Sequence, residues 1–161
     1  MAKENRCCFT GHRPEKLYIT ESEAKELLRT EIRKAVSVGI NVFISGMARG
    51  IDMWAAEVVL EERESNPDIK LICASPYLGF ETRWRESERR RYNSIIDEAD
   101  LVEYICDKYF IKAFQIRNEW MVNHSARVIA AYNGISGGTR NTINYAKKKN
   151  VEVINILEEN I

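Results

Sequence analysis

The sequence lacks net charge, internal repeats, low-complexity stretches and a long apolar run near its start. Its 24 lysine and arginine residues cancel its 24 aspartate and glutamate residues. This balance disfavours a basic surface that wraps nucleic acid, but it leaves room for a local basic patch. The opening residues are mostly polar, and the run between Arg6 and Gly11 contains only four apolar-leaning residues, 7–10. We therefore expect no signal peptide, no membrane contact and a cytoplasmic location. With 161 residues and no linker composition, we expect a single domain over residues 1–161.

The four cysteines form no metal-binding pattern. Cys7, Cys8, Cys73 and Cys106 lie in apolar runs, with no CxxC pair and no histidine at metal-ligand spacing. We expect no metal site and interpret all four as reduced core residues, because a free cysteine packs like a small apolar side chain. The alternative is a reactive thiol at Cys8 or Cys106, since both lie near predicted strand ends.

Short strand-like runs alternate with longer stretches of helical period. Strands are predicted over 6–10, 41–45, 70–75, 101–106, 127–132 and 151–156. Helices are predicted from a Thr20–Glu23 capping box to Gly39, from Gly50 to Asn66, and over 82–99, 113–125 and 139–149. The pattern predicts an α/β, Rossmann-like fold: a doubly wound, mostly parallel sheet of about six strands with helices on both faces. Ligands bind such sheets outside the carboxyl ends of the strands.

Two of the predicted strand-to-helix loops come early in the chain. The first contains Gly11, His12 and Arg13, which form either a polar clamp or a solvated Gly-Pro turn. The second loop runs from Ser45 through Gly46, Arg49 and Gly50 to Asp52. Its two glycines would let an anion approach the backbone amides at the start of a helix. Asp52 either complements the helix dipole or accepts a hydrogen bond from a ribose hydroxyl.

A third glycine-rich loop follows the fifth predicted strand. It contains Gly137, Gly138, Thr139 and Asn141, and Thr139 is placed to cap the next helix and contact phosphate. This loop is neither a Walker A loop nor a GxGxxG fingerprint, which disfavours P-loop ATP hydrolysis.

An arginine-rich run extends from Glu81 to Arg91. It is interpreted either as a solvated helix face or as a lid or single-strand groove in which Trp84 stacks on a base. Trp54 and Trp120 lie on apolar helix faces and are predicted to be core residues, and His124 is predicted to be a helix cap or surface residue. Nine arginines fall in segments expected near the carboxyl ends of the strands: Arg13, Arg49, Arg83, Arg85, Arg89, Arg90, Arg91, Arg117 and Arg140.

The segment from Ile44 to Glu57 resembles the glycine-rich signature of the SLOG superfamily, especially that of the DNA-processing protein DprA. The overall layout is more similar to the YpsA branch of that superfamily, and the similarity spans nearly the whole chain. The similar positions are Phe9 to Pro14, Trp54 to Glu57, Pro76, Tyr77, Trp84, Tyr92, Ala99 and Asp100. The resemblance implies a Rossmann-like domain that binds nucleotides or nucleotide-derived ligands. It is also compatible with a homo-oligomer, since related single domains often complete their pockets across subunits.

The "lonely guy" phosphoribohydrolases of the same superfamily resemble the chain at Arg117 to Met121 and at Gly137 to Thr139. Those enzymes carry a catalytic glutamate where Thr142 stands here, and threonine supplies no carboxylate acid–base chemistry. Cleavage of an N-glycosidic bond would therefore need Asp52, Glu57 or Glu119.

The leading hypothesis is a sensor or regulatory domain that binds a nucleoside phosphate or ADP-ribose-type ligand. In this hypothesis the glycine loops hold phosphate, Asp52 binds a sugar hydroxyl and Arg117 neutralises charge. No cofactor beyond this ligand is predicted. The alternatives are a nucleotide N-glycosidase and, less favoured by the neutral total charge, a DprA-like protein that binds single-stranded DNA.

Overall fold

A computed structural model describes residues 3–157, so residues 1–2 and 158–161 of the expected domain lie outside the described part. Within it, six strands form one parallel sheet in the order β4-β3-β2-β1-β5-β6. The strands are β1 (Arg6–Gly11), β2 (Val42–Ser45), β3 (Lys70–Ser75), β4 (Leu101–Tyr104), β5 (Arg127–Ala131) and β6 (Glu152–Asn155). The predicted α/β, Rossmann-like fold is confirmed, with strand ends that differ from the expected ones by up to two residues.

Five α-helices connect the strands. They are α1 (Glu21–Ser37), α2 (Ile51–Ser65), α3 (Glu86–Glu98), α4 (Ala113–Asn123) and α5 (Gly138–Lys148). One apolar cluster joins α1, α2 and α3 to side chains such as Cys7 and Phe9, and a second joins α4 and α5 to side chains such as Cys8. Because successive strand residues point to opposite faces, this alternation shows that helices cover the sheet on both sides. None of the helices within residues 3–157 is long and apolar enough to cross a bilayer.

The first helix begins and ends where the sequence predicts. Thr20 Oγ1 accepts the Glu23 amide at 3.0 Å, and Glu23 Oε1 accepts the Thr20 amide at 2.8 Å. Two residues after the end of α1, Gly39 adopts a φ of 97°, which lets the chain reverse without a Cβ clash. The capping box therefore fixes the start of α1, and Gly39 follows its end.

The third helix begins at Glu86, so the predicted start at Thr82 is wrong. Thr82 turns back on Gly79, with its amide and its hydroxyl both donating to the Gly79 carbonyl, at 3.1 and 2.9 Å. This turn competes with helix formation, and the chain stays irregular until Arg85, whose ψ is 150°. As a result Arg83 and Trp84 lie on a loop at the carboxyl edge of the sheet instead of on a helix.

Three of the four cysteines are core residues. Cys7, Cys8 and Cys73 are buried, whereas Cys106 is partly exposed, so the prediction of a core position is wrong for Cys106. Burial raises the pKa of Cys8 and of Cys73 to about 12, which keeps both as thiols at neutral pH. Because the thiolate is the reactive form, the alternative of a reactive Cys8 is not supported.

Candidate functional site

A cavity of about 970 Å³ opens at the carboxyl edge of the sheet. Strands β2, β3 and β4 follow one another on one side of β1, and β5 pairs with the other side of β1. The loops after β1 and β5 therefore diverge, which creates the crevice where doubly wound sheets bind ligands. Residues from all five strand-to-helix connections line the cavity.

The cavity wall contains nine of the thirteen predicted site residues. These are Gly11, His12, Arg13, Arg49, Asp52, Arg117, Gly137, Gly138 and Thr139. Ser45, Gly46, Gly50 and Asn141 do not line it. Asn141 is exposed on α5, and Ser45 is buried beneath the second loop.

At both glycines of the second loop, a Cβ would clash with other residues of the protein. A Cβ on Gly46 would lie 3.0 Å from the Arg117 guanidinium. A Cβ on Gly50, whose φ is +88°, would lie 2.9 Å from the His12 carbonyl oxygen. A Cβ on Gly11, which does line the cavity, would lie 2.5 Å from Ile51. Gly46 therefore makes room for the Arg117 side chain, and Gly50 lets the loops after β1 and β2 interlock.

Ser45 organises the second loop from below. Its hydroxyl donates to the Asp52 carbonyl at 2.7 Å and accepts the Met47 amide at 3.1 Å. Met47 is buried with a φ of 65°, a left-handed conformation that a non-glycine residue holds only when its surroundings fix it. These bonds set the path of the loop and place Asp52 in the first turn of α2.

The Asp52 carboxylate is buried, and only one of its two oxygens has a hydrogen-bond partner within residues 3–157. Oδ2 accepts the Ala48 amide at 3.3 Å, whereas Oδ1 has no hydrogen-bond partner among the described residues. The residue is 5% exposed. Burial raises the pKa of Asp52 to about 6, although the charge of Arg117 acts in the opposite direction. An unpartnered buried oxygen is costly, so a hydrogen-bond donor on a ligand in the cavity would satisfy it.

Arg117 lies on α4 with its guanidinium buried in the cavity wall. Its Nη1 donates to the Gly46 carbonyl, and its Nε donates to Asn118 Oδ1 at 2.8 Å. Burial lowers the pKa of Arg117, and the Asp52 carboxylate partly offsets that effect. Arginine nevertheless stays protonated in proteins. Arg117 therefore supplies a fixed positive charge that its hydrogen bonds hold in place.

The charge of the cavity wall is unbalanced. Five cationic side chains line it, and Asp52 is its one carboxylate within residues 3–157; the cations are Arg13, Lys16, Arg49, Arg83 and Arg117. His12 adds no charge, because burial lowers its pKa and its Nε2 accepts the Asn133 amide at 3.4 Å. The wall therefore favours an anion.

The start of α5 contributes backbone donors to the same wall. Ser136 to Thr139 line the cavity, and no side chain caps the helix. The prediction that Thr139 is the cap is wrong, because Gly137, with a φ of 146°, occupies that position and the helix begins at Gly138. Without a capping side chain, the first amides of α5 are free for an anion.

Aromatic side chains form the opposite end of the cavity. Tyr77, Phe80 and Trp84 come from the β3–α3 connection, Tyr109 comes from the β4–α4 connection, and Phe114 lies in the first turn of α4. Phe80 lies 5.0 Å from Trp84 and 5.6 Å from Phe114, measured between ring centroids. We call these five residues the aromatic wall, and among them the sequence predicts a ligand contact only for Trp84. A further signal in the sequence is the three- to four-residue spacing of aromatics after β3.

Most of the arginine-rich run is engaged by the protein itself. Arg89 donates to the Trp84 carbonyl at 2.8 Å, Arg90 pairs with Glu86 at 2.6 Å, and Arg91 binds both Glu21 and Glu57. Of the nine arginines expected near this edge, four line the cavity; the remaining five, including Arg85 and Arg140, do not. The run is therefore mainly an intramolecular ion-pair network, with Arg83 as its contribution to the cavity.

The other candidate carboxylates lie away from the cavity. Glu57 pairs with Lys25 and Arg91, and Glu119 accepts a hydrogen bond from Gln115. The Thr142 hydroxyl donates to the Gly138 carbonyl at 2.9 Å within α5. Among the carboxylates within residues 3–157, Asp52 is therefore the one placed for acid–base chemistry in this cavity.

Two of the remaining sequence predictions concern tryptophans. Trp54 is a core residue, 5% exposed, as predicted. Trp120 is only partly buried, packed against the second apolar cluster, so the prediction of a core position is wrong for Trp120. The ring of His124, the C-cap of α4, stacks on it at 4.1 Å between centroids. The predicted cap position of His124 is confirmed.

Comparison with protein families gives a match over nearly the whole chain. A model described as the YspA SLOG family (YpsA) matches residues 7–157. Proteins named UPF0398 from Bacillus thuringiensis (strain Al Hakam) and Bacillus cereus (strain Q1) are each 32% identical over 155 residues. That alignment covers 91% of this chain and 84% of each relative.

Solved structures of similar fold come from other bacteria. DNA processing protein A from Streptococcus pneumoniae matches with a TM-score of 0.66 at 21% identity, over 94% of this chain and 50% of that chain. The molybdenum cofactor binding protein from Rippkaea orientalis matches with a TM-score of 0.58 at 17% identity, over 93% of this chain and 74% of that chain. The present chain thus spans half the length of the pneumococcal protein. At these identities the likeness shows a shared fold.

Proposed function

The chain belongs to the YspA SLOG family, and from that premise we propose that its cavity binds a nucleoside diphosphate-type ligand such as ADP-ribose. The observation that carries the proposal is the two-ended wall of the cavity. The uncapped start of α5 forms one end, the aromatic wall forms the other, and cations such as Arg13 and Arg49 lie between them. Phosphate oxygens suit the cations and the helix start, and a planar base suits the aromatic wall, because bases stack on aromatic side chains.

The strand order sets how far apart the two ends are. Tyr77, Phe80 and Trp84 follow β3, Tyr109 follows β4 and the start of α5 follows β5, so three to four strand spacings separate the ends of these strands. Neighbouring strands lie about 4.8 Å apart, which puts these strand ends roughly 14–19 Å from that of β5.

This separation favours a diphosphate-bridged ligand over a mononucleotide. About six bonds join the glycosidic nitrogen of a mononucleotide to its phosphorus, which spans roughly 7–8 Å when extended. In an ADP-ribose-type molecule about eight bonds reach the second phosphorus and about thirteen reach the far sugar, or roughly 10 and 16 Å. A mononucleotide therefore covers one end of the cavity, whereas the longer ligand covers both.

The middle of the cavity also matches such a ligand. Arg13 and Arg49 follow β1 and β2, between the two ends, where a diphosphate bridge would pass. Asp52 lies in the same central region, and a ribose hydroxyl that reached its buried, unpartnered Oδ1 would donate a hydrogen bond to it. Ligand binding would thereby satisfy a polar atom that the protein leaves unpaired.

Isothermal titration calorimetry with ADP-ribose, ADP, AMP, adenosine and ribose 5-phosphate tests the proposal. We expect ADP-ribose and ADP to bind more tightly than AMP, and adenosine and ribose 5-phosphate to bind weakly. No heat with any of the phosphorylated compounds would overturn the proposal. Equal affinity for ADP-ribose and ribose 5-phosphate would contradict the role of the aromatic wall.

Two pairs of variants locate the binding site. Arg83→Glu reverses a charge in the wall, and Arg85→Glu makes the same change two residues away, outside the wall. Gly138→Asp puts a carboxylate at the start of α5, and Gly138→Ala is its control, because a Cβ there has 3.9 Å of clearance. Loss of one charge-assisted contact weakens binding about tenfold to a hundredfold. We expect this loss for the first member of each pair and little change for the second.

Hydrolysis of an N-glycosidic bond is the second candidate function. It is favoured by one observation, a carboxylate in the cavity wall whose pKa is about 6 and whose buried Oδ1 has no hydrogen-bond partner within residues 3–157. In this reaction water adds to the sugar C1′ as the bond to the base breaks, and the base leaves with a proton. Chromatography of AMP and ADP-ribose incubated with the protein should show free base, and Asp52→Asn should abolish its release. The absence of free base with the unmodified protein would remove this candidate.

A further inference from the structure

Among the five cations of the cavity wall, Arg49 alone forms an ion pair within 4 Å with a carboxylate of residues 3–157. Its Nη1 and Nη2 donate to the two oxygens of Glu15, at 3.1 and 2.9 Å. Glu15 lies on a short 3-10 helix, Pro14–Lys16, in the loop after β1, and it is outside the cavity wall. The Glu15 carboxylate thus accepts the two Arg49 N–H groups, Nη1 and Nη2, that a phosphate in the cavity would bind.

The Glu15–Arg49 pair is not needed to hold the two loops together. Packing already fixes them, since Gly50 fits against the His12 carbonyl and Gly11 fits against Ile51. The Glu15 side chain is 58% exposed, and an exposed ion pair contributes little to stability because water screens it. A phosphate that binds the same two N–H groups makes charge-assisted hydrogen bonds inside a more enclosed cavity. Exchange of Glu15 for phosphate is therefore favourable once the ligand arrives.

We propose that Glu15 is a built-in competitor for the ligand's phosphates, which holds Arg49 while the cavity is empty and releases it when a diphosphate binds. This inference rests on the proposed function and adds a specificity-determining residue to it. The Arg49 guanidinium lowers the pKa of Glu15, so the competitor is a carboxylate at neutral pH. Weakly charged ligands gain too little from Arg49 to displace it, whereas a diphosphate displaces it readily.

The test compares Glu15→Gln with the unmodified protein by calorimetry, using ADP-ribose and the uncharged ligand adenosine. We expect Glu15→Gln to bind ADP-ribose about twofold to fivefold more tightly, the change that corresponds to an exposed ion pair. Adenosine binding should stay the same. Because the expected effect is a gain in affinity, a folding defect does not imitate it.

Two further variants show that the gain acts through Arg49. Glu86→Gln removes a similarly exposed carboxylate from the Arg90 pair, outside the cavity wall, and should leave ADP-ribose affinity unchanged. In an Arg49→Gln background the gain from Glu15→Gln should disappear. Unchanged or weaker ADP-ribose binding by Glu15→Gln, with binding by the unmodified protein intact, would overturn this inference and leave the proposed function standing. Failure of the unmodified protein to bind any phosphorylated nucleotide would overturn both.

Discussion

Replacing Asp52 by asparagine measures the cost of its buried charge. Burial raises the pKa of this carboxyl from 3.8 to about 6, so between these values the folded protein binds a proton that the unfolded chain does not. The contribution of Asp52 to the free energy of unfolding therefore rises as pH falls from 6 to 3.8, and it is least favourable above pH 6. A shift of about two units corresponds to about 3 kcal/mol at 1.36 kcal/mol per unit.

Urea denaturation of the unmodified protein and of Asp52→Asn at several pH values isolates this effect. Every other carboxyl group titrates in both proteins, so the difference between them reports Asp52. We expect the free energy of unfolding of the variant minus that of the unmodified protein to fall by about 2–3 kcal/mol between pH 7.5 and pH 4. The variant also loses a negative charge near Arg117, which adds a term that does not depend on pH to the difference in free energy of unfolding. The prediction concerns only the change of this difference with pH.

A difference that does not vary with pH would refute the reasoning, because it would mean that the Asp52 carboxylate reaches water in the folded protein. A difference that grows as pH falls would refute it as well, since that is the behaviour of a carboxylate stabilised by a cation. Asp97→Asn, an exposed change on α3, controls for the loss of a carboxylate from the surface.

Three further predictions test the loops, the thiols and the first helix cap. Gly50→Ala should lower the free energy of unfolding by about 2 kcal/mol, because it combines a positive φ with a Cβ 2.9 Å from a carbonyl oxygen; Gly138→Ala is the control, and equal stability of the two variants in urea would contradict the prediction. Iodoacetamide mapping by mass spectrometry should modify Cys106 before the three buried cysteines, and earlier labelling of a buried one would contradict the burial described. Thr20→Ala should cost about 1 kcal/mol in urea by removing the capping box, and Thr20→Ser should not; no loss for Thr20→Ala would show that the cap does not stabilise α1.

The fold was predictable because its signals are local. Apolar runs bounded by turn residues mark the strands, and the reciprocal bonds of Thr20 and Glu23 lie three residues apart. The start of α3 was not predictable from the same signals, because charged residues such as Glu81 and Arg83 suit a helix. The Thr82 bonds to Gly79 that oppose the helix depend on turn geometry.

The sequence predicts which loops form the site, but not the side-chain contacts between them. The glycine-rich sequence after β2 marks the position of the second loop, but the side chain that explains Gly46 is Arg117, 71 residues further along the chain. The aromatic wall joins two connections that meet only in the folded sheet. The unpartnered Oδ1 of Asp52 and the Glu15–Arg49 pair are likewise results of tertiary structure.

The pairing of β1 with β5 has a consequence for synthesis on the ribosome. The register joins Cys7 to Arg127 and Gly11 to Ala131, so one edge of β1 stays open while most of the polypeptide is being made. An open edge on a strand with four buried residues invites pairing with other nascent chains. Emergence of β5 seals that edge, and the start of α5 follows within a few residues. The open edge of β1 and the unfinished cavity wall are therefore completed together, when the last third of the sheet docks.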